Sequence, residues 1–272
     1  MVERDLPWRR TRDPWAILVA EAMLQQTQVA RVVPAWERFL SEMGTPERCA
    51  DAGRAAVVRR WEGLGYHRRA VALHATAVRL VEDHGGVVPS SLDDLLALPG
   101  VGPYTARAVL AFAFERDVAV VDTNVARVVS RAVAGRPLGA RATQELADAL
   151  VTTGRGWHHN QAMLDLGALA CTARPACERC TLRRSCVWAR AGNPAPDPAR
   201  TTAGTSRPQP AFEGSNRQLR GRLLAAARRD APEPSWRPAL EAAFTAPRVA
   251  SALTALIAEG MVAETEGRLE LA

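Results

Sequence analysis

Lysine is missing from this sequence. All 35 basic residues among the 272 are arginine, against 29 acidic residues, and the formal net charge is +6. A chain without lysine has no side-chain amine that could form a Schiff base, so covalent catalysis through a lysine imine is excluded. The excess of positive charge indicates a polyanionic partner.

Long apolar runs are missing as well. No apolar stretch approaches the roughly 20 residues that a membrane-spanning helix needs. The first residues, MVERDLPWRRTRDPW, are charged and contain no apolar segment of the kind found in secretory signals. We therefore expect a cytosolic protein without a membrane partner. Apolar residues still make up 47% of the chain, which is enough for a sizeable core.

A sustained alternation of apolar and polar residues, the pattern of a half-buried strand, is also absent. Apolar residues recur instead at spacings of three and four, which is typical of amphipathic helices. Turn signals such as MGTPE, HGGVVPSS and AGRPLGA separate these segments. The pattern predicts an all-α fold for residues 1–190.

The last third of the chain changes composition twice. Residues 191–212, AGNPAPDPARTTAGTSRPQPAF, hold five prolines and few apolar residues, which predicts a flexible linker. Residues 213–272 then regain a pattern of three helices followed by a short hairpin. This order suggests a small winged-helix-like module.

Four of the five cysteines are clustered in CTARPACERCTLRRSC, with the spacing C-x5-C-x2-C-x5-C. In a cytosolic chain, four thiols within sixteen residues indicate a metal site and not disulfides. Thiolates suit either zinc or an iron–sulfur cluster, and the spacing alone favours neither. Cys49 stands apart and is expected to be a small buried apolar residue. The predicted metal ligands are Cys171, Cys177, Cys180 and Cys186.

The segment LPGVGPYTARAVLAFAF (98–114) predicts two helices joined by a tight glycine turn. Its glycines permit unusual backbone angles, and the free N–H groups at the start of the second helix can bind an anion. A plain helical hairpin is the alternative, but the basic chain favours a phosphate cradle. The predicted phosphate-binding residues are Gly100, Val101, Gly102, Tyr104 and Thr105.

Two acidic residues attract attention through their surroundings. Glu21 opens the stretch EAMLQQTQVA, where polar glutamines stand among apolar residues of a predicted helix. Asp122, in VVDTNVARVVSRAV, directly precedes a helical pattern and is therefore an expected N-cap. Either residue could be structural when taken alone.

These pieces in this order resemble the helix-hairpin-helix DNA glycosylases that carry an iron–sulfur cluster, the group that includes endonuclease III. The segments LPWR, EAMLQQTQVA, WEGLGYHRRA, LPGVGPYTA, VDTNVARV and NQAMLDLGALAC are most similar to the adenine DNA glycosylases of the MutY type. The resemblance covers residues of about 5–190. It implies two helical lobes that grip double-stranded DNA and flip a base out of it.

The resemblance also implies a domain division and a cofactor. It favours a [4Fe–4S] cluster over zinc, although five residues lie between the first two cysteines where the family usually has six. The expected protein is a monomer associated with the nucleoid. The implied domains are a six-helix barrel over 22–130, a cluster domain over 1–21 and 131–190, the linker 191–212 and the module 213–272.

Catalytic roles follow from the resemblance residue by residue. Glu21 matches the general acid and later base, with a pKa expected to be raised by burial. Asp122 matches the carboxylate that stabilises the sugar cation, in the two-carboxylate logic of glycoside hydrolysis. Tyr104 and Asn124 resemble the groups that assist around the sugar. Endonuclease III, which also cuts the strand, has lysine where this chain has Tyr104, so we expect a monofunctional enzyme, with weak strand cleavage through an N-terminal amine as the alternative.

Further residues match positions that hold DNA. An amide and an aromatic ring can occupy the gap that a flipped base leaves in the duplex. For Trp8, packing in the core is an open alternative. The predicted wedge residues are Gln26 and Tyr66, and the predicted base-pocket residues are Trp8, Arg9, Leu24 and Gln161.

Two other functions remain open at this stage. A thymine or uracil mismatch glycosylase on the same scaffold would also tend to have tyrosine and aspartate at these positions, although Glu21 with Gln161 favours adenine. A non-catalytic iron–sulfur DNA-binding protein is the second alternative. Residues 213–272 are too short and too helical for the Nudix-like domain that senses 8-oxoguanine in MutY-type enzymes.

Overall fold

The computed structural model describes residues 4–205 and 211–272, and these are mostly helical, as predicted. The predicted helical segment 14–40 is broken after Leu24, so that it forms two helices. Within the described ranges the α-helices are α1 Pro14–Leu24, α2 Val29–Met43, α3 Pro46–Arg60, α4 Arg68–His84, α5 Leu92–Ala97, α6 Pro103–Phe112, α7 Thr123–Val128, α8 Ala140–Leu150, α9 Gly156–Leu169, α10 Val187–Arg190, α11 Asn216–Ala227, α12 Glu233–Phe244 and α13 Ala246–Ala258. The strands are β1 Ala231–Pro232, β2 Val262–Thr265 and β3 Arg268–Leu271.

The chain divides into two compact units. The first unit comprises the described parts of Met1–Ile17, Ser90–Ala97 and Val101–Pro208. The second unit comprises the described parts of Leu18–Pro89, Leu98–Gly100 and Gln209–Ala272. The domain division implied by the resemblance stays a prediction.

The core of the second unit is formed by one face of each of its long helices. The apolar residues that recur at spacings of three and four on α2 are buried. One of them, Phe39, packs edge to face against the ring of Trp61, with centroids 6.5 Å apart. Thr45 caps the start of α3 by accepting a hydrogen bond from the backbone N–H of Arg48. Cys49 is fully buried among these helices, in agreement with its predicted apolar role.

In the first unit, α7 packs against α9 at unusually short range. A Cβ built on Gly167 would lie 2.6 Å from the Cβ of Asn124 and 2.7 Å from its carbonyl oxygen. Only glycine therefore allows the two backbones to approach this closely. Beyond α7 the chain continues as a π-helical turn, Val129–Ala134, which buries Arg131.

The predicted flexible linker, 191–212, is ordered in its first part. Arg131 donates hydrogen bonds to both carboxylate oxygens of Asp197, at 2.9 and 2.5 Å. Thr202 is buried, and its hydroxyl oxygen accepts a hydrogen bond from the backbone N–H of Leu138 at 3.2 Å. The prolines exclude a long helix, but specific side-chain contacts fix this segment against the first unit. Residues 206–210 of the predicted linker lie outside the described residues.

The C-terminal module, residues 213–272, contains α11, β1, α12, α13, β2 and β3 in that order. The strands form an antiparallel sheet of order β1-β3-β2. Glu266 and Gly267 join β2 to β3 with positive φ angles of 50° and 71°, as in the two-residue turns that suit hairpin twist. Within the described ranges no single helix is long and apolar enough to cross a membrane, and only α12 with α13, bent by 120°, meets that criterion as a pair.

Candidate active site

Glu21 lies on the most apolar helix of the chain. Its neighbours on α1, Val19, Ala20 and Met23, are fully buried, and Glu21 itself is only 4% exposed. Leu24, the last residue of the helix, is half-buried. The sequence thus places a carboxyl group at a buried position, where its charged form is costly unless it is paired.

Two loops of the same unit contain a residue with left-handed backbone angles. Gln26 has a φ of 55° and is exposed, and Tyr66 has a φ of 49° and is 37% exposed. Such angles are uncommon outside glycine and strained for an aromatic residue. Gly63 and Gly65, both at positive φ, allow the chain to reach Tyr66. Both predicted wedge residues therefore lie at positions where the backbone adopts a left-handed conformation.

Arg69, at the start of α4, holds these two loops together. Its Nη1 donates to the carbonyl oxygens at the end of α1, and its Nη2 donates to the loops on either side. The guanidinium carbon also lies 5.4 Å from the ring centroid of Trp61 and 5.6 Å from that of Tyr66. The acceptors, at 2.7–3.2 Å, are the oxygens of Ala22, Met23, Leu64 and Gly65 and the hydroxyl of Thr27.

Burial lowers the pKa of Arg69 to about 10, which still leaves it charged at neutral pH. Arg69 was not among the site residues predicted from the sequence. A signal for it exists in GLGYHRR, because a turn with two glycines leaves carbonyl oxygens without helical partners. A nearby arginine, with donors in a planar fork, is suited to satisfy them.

The predicted phosphate cradle is the start of α6. Gly100 has a φ of 73°, and Gly102 caps the helix with extended backbone. Tyr104 lies in the first turn of α6, where the backbone N–H groups have no partner inside the helix, and its side chain is half-buried. The remaining predicted phosphate-binding residues are buried: Val101 and Thr105.

Asp122 is the N-cap of α7, as its position predicted. Its Oδ1 accepts from the backbone N–H groups of Asn124 and Val125, both at 2.8 Å. Its Oδ2 accepts from Nδ2 of Asn124 at 2.5 Å. Burial raises the pKa of Asp122 above its ordinary value, and these hydrogen bonds offset only part of that effect. The cap therefore holds a carboxylate with a defined orientation.

Arg127 orients the side chain of Asn124, which donates to the carboxylate of Asp122. Its Nη2 donates to Oδ1 of Asn124 at 2.6 Å, which defines the orientation of the amide. The same guanidinium donates to the carbonyl oxygens of Gly167 and Cys171, at 2.9 and 3.0 Å. Hydrogen bonds thus connect Asp122, Asn124, Arg127 and the backbone of Cys171 in one network within the first unit. Arg127 was not among the site residues predicted from the sequence.

Arg9, predicted to line the base pocket, has a protein partner. Its guanidinium donates to both carboxylate oxygens of Asp165, at 2.9 and 2.7 Å. Burial would raise the pKa of Asp165, but the hydrogen bonds from Arg9 and Arg4 hold it below the usual range. The other predicted pocket residues of this unit, Trp8 and Gln161, are also buried. Their contact with a base stays a prediction.

All four cysteines of the cluster motif line one pocket. Arg131 donates to Sγ of Cys171 at 3.4 Å, and Trp188 closes the pocket nearby. Four thiols around one cavity are a donor set that fits a soft metal ion or an iron–sulfur cluster. In the ranges described, no group of three or more metal-binding side chains is already gathered at coordinating geometry. The pocket residues are Val128, Arg131, Ala132, Leu166, Ala170, Cys171, Pro175, Cys177, Cys180, Leu182, Arg183, Cys186, Trp188 and Ala189.

Comparison with known proteins finds relatives in sequence and in structure. The chain is 43% identical to an adenine DNA glycosylase of Mycolicibacterium smegmatis, over 99% of this chain and 92% of that protein. A thermostable thymine-DNA glycosylase has a similar structure, with a TM-score of 0.64 and 32% identity, over 69% of this chain and 89% of that one. A trapped endonuclease III–DNA covalent intermediate gives a TM-score of 0.61 and 25% identity, over 67% and 87%.

The family description spans the segments that carry the site. It matches residues 19–153, from α1 with Glu21, through the hairpin turn, to α7 with Asp122 and beyond. The similarity to the mycobacterial relative extends over nearly the whole chain. The chain belongs to the HhH-GPD superfamily of base excision DNA repair proteins.

Proposed function

We propose that this protein is an adenine DNA glycosylase. It hydrolyses the N-glycosidic bond of adenine mispaired with guanine or 8-oxoguanine in double-stranded DNA and leaves an abasic site. The observation that carries the proposal is the 43% identity to a curated adenine DNA glycosylase over 99% of this chain. The expected setting is the nucleoid, and the expected state is a monomer.

In this reaction Glu21 acts first as a general acid. Protonation of a purine ring nitrogen turns the adenine into a better leaving group, and the resulting carboxylate then activates water. An apolar environment disfavours the charged carboxylate, and the position of Glu21 on α1, at 4% exposure, supports this assignment.

Asp122 stabilises the positive charge that develops on the sugar. A carboxylate oriented by three hydrogen bonds needs little reorganisation when that charge appears. Asn124 holds Oδ2 and is itself oriented by Arg127. Tyr104 assists near the sugar.

The enzyme is monofunctional. Strand cleavage through an imine requires an amine nucleophile, and this chain has no lysine at position 104 or elsewhere. Gln26 and Tyr66 enter the duplex where the adenine has left. The α6 start binds a phosphate, and the residues that we assign to adenine recognition are Trp8, Arg9, Leu24 and Gln161.

The four cysteines hold a [4Fe–4S] cluster. Its contribution is structural, because it would fix a loop that has little apolar core of its own. The convergence of all four thiols on one pocket supports this assignment. A visible absorbance band in the purified protein would identify the cluster, whereas zinc would leave the protein colourless.

A thymine or uracil mismatch glycosylase is the second candidate. The structural similarity to a thymine-DNA glycosylase, with 32% identity, favours it more than any other alternative. The adenine assignment is preferred because the adenine-specific relative matches a larger share of the chain at higher identity.

Four duplexes separate the two candidates. They contain adenine opposite 8-oxoguanine, adenine opposite guanine, thymine opposite guanine and uracil opposite guanine, and alkali converts each abasic site into a strand break. We expect breaks at adenine only, and only after alkali. Breaks confined to thymine or uracil would reject the adenine assignment, and breaks without alkali would reject a monofunctional enzyme.

Removal of Arg69 is expected to reduce both stability and activity. Arg69→Ala leaves buried carbonyl oxygens without a charged donor, at a cost of about 3 kcal/mol of unfolding free energy. Arg69→Lys restores the charge but cannot supply the planar fork, so it should recover little. Both effects are measured by urea unfolding and by single-turnover excision.

A control separates positioning from a general loss of stability. Arg79→Ala, on the same helix, removes an exposed arginine paired with Asp83 and should change neither quantity appreciably. Added guanidinium at low concentration should restore excision by Arg69→Ala more than it restores its stability. Equal excision rates for Arg69→Ala and wild type would show that Arg69 does not position the site.

A further inference from the structure

The C-terminal module is attached to the same stretch of chain that carries Tyr66. Arg59 donates to the carbonyl oxygen of Arg228 at 2.9 Å, and Arg228 lies 3.0 Å from Nε2 of His67. Glu259, directly after α13, accepts from Arg68 and from Arg220, both at 2.5 Å. These contacts lie within one compact unit, so the module holds a defined position against residues 54–68.

His67 takes part in this attachment as a neutral group. Burial, together with the positive charge of Arg228, lowers the pKa of His67 to about 4. At neutral pH its Nε2 can therefore accept a hydrogen bond from Arg228. The residue that follows Tyr66 is thus fixed by the module.

One consequence of the attachment is a cluster of two rings and a cation. Arg217, at the start of α11, donates to the hydroxyl of Tyr66 at 3.2 Å. Its guanidinium carbon lies 6.0 Å from the ring centroid of Tyr66 and 5.8 Å from that of Phe212. Tyr66 is 37% exposed and Phe212 is 55% exposed.

This arrangement has the chemistry of a base-stacking surface. Aromatic rings and arginine planes bind nucleobases by stacking, with little dependence on base identity. Flipping one base out of a duplex leaves its partner without a pairing partner. An unpaired base beside Tyr66 would therefore meet a surface that is formed jointly by the module and the 61–66 loop.

We propose that Phe212, Arg217 and Tyr66 form a platform that binds an unpaired base of the DNA substrate. Arg217 belongs to the module and Phe212 directly precedes it, so the module takes part directly in substrate binding. This inference rests on the proposed function only in its choice of DNA as the ligand.

The test measures binding and not excision. Three duplexes are compared by fluorescence anisotropy: one fully paired, one with a single base opposite an abasic analogue, and one with abasic analogues on both strands. Phe212→Ala and Arg217→Ala should each weaken binding of the second duplex about tenfold, the usual effect of losing one stacking contact. On the third duplex, which has no base to stack, they should bind like the wild type.

Two further variants make the result specific. Phe212→Leu keeps an apolar side chain without the aromatic face and should lose affinity as Phe212→Ala does. Arg229→Ala removes an exposed arginine at the other end of α11 and should affect all three duplexes equally and weakly. Phe212 is exposed, so its variants should unfold at the wild-type temperature.

The platform is rejected if the Phe212 and Arg217 variants bind the second duplex like the wild type. It is equally rejected if they lose the same affinity on all three duplexes, because that pattern indicates phosphate contacts alone. An absence of adenine excision by the wild-type protein would reject the proposed function, and would leave the outcome of these binding measurements unchanged.

Discussion

Glu21→Gln is expected to bind mismatched duplex and to leave the adenine in place. Glutamine has nearly the same shape as glutamate, so the packing of α1 around position 21 is preserved. Its amide cannot deliver a proton to the purine, and a lost general acid typically costs about 10²–10⁴-fold in rate. Single-turnover excision from an adenine–8-oxoguanine duplex measures this loss.

Glu37→Gln provides the matched control. Glu37 is an exposed residue on α2 of the same unit, and its replacement removes the same charge. We expect wild-type excision from this variant. Wild-type excision by Glu21→Gln as well would assign Glu21 a structural role and would favour a different general acid. Weakened DNA binding by Glu21→Gln would instead point to a role in holding the substrate.

Asp122→Asn is expected to separate the structural and chemical roles of the cap. Asparagine caps helices as well as aspartate does, so Oδ1 should keep its two backbone donors. The new Nδ2 would face Nδ2 of Asn124, whose amide cannot reverse without losing its bond to Arg127. The unfolding free energy should fall by about 1 kcal/mol.

Excision by Asp122→Asn should fall much further, by about 10²–10³-fold, because the charge that we propose to stabilise the sugar cation is gone. Asp122→Ala removes both the charge and the cap. We expect it to lose a similar factor in excision and about 1 kcal/mol more in stability. If Asp122→Asn excised adenine at the wild-type rate, Asp122 would be a helix cap only.

Local patterns in the sequence were sufficient for the helices and for the elements that carry the site. Spacing of apolar residues predicts the helical segment 14–40 but not its break after Leu24, and the residue before a helical pattern predicts the cap formed by Asp122. Glycine and proline predict the turn before α6. These features depend on neighbours within a few residues, and single-sequence reasoning has access to such neighbours.

Contacts over longer separations were not predictable in this way. The partners of Arg69 are mainly backbone oxygens, more than forty residues away in the case of α1, and backbone atoms leave no mark on composition. The pairing of Arg131 with Asp197 ordered a segment whose prolines predicted flexibility. β1 is only two residues long and is defined by its pairing with β3.

The helices α7 and α9 cross so closely that the residue at position 167 determines where Asn124 can lie. Gly167 has no functional group, yet a single methyl group there would collide with Asn124, which holds Oδ2 of Asp122. The carboxylate can thus be displaced without any substitution at position 122 itself. Substitution at position 167 is therefore limited by the space between the two helices, whereas substitution at position 122 is limited by the loss of the carboxylate.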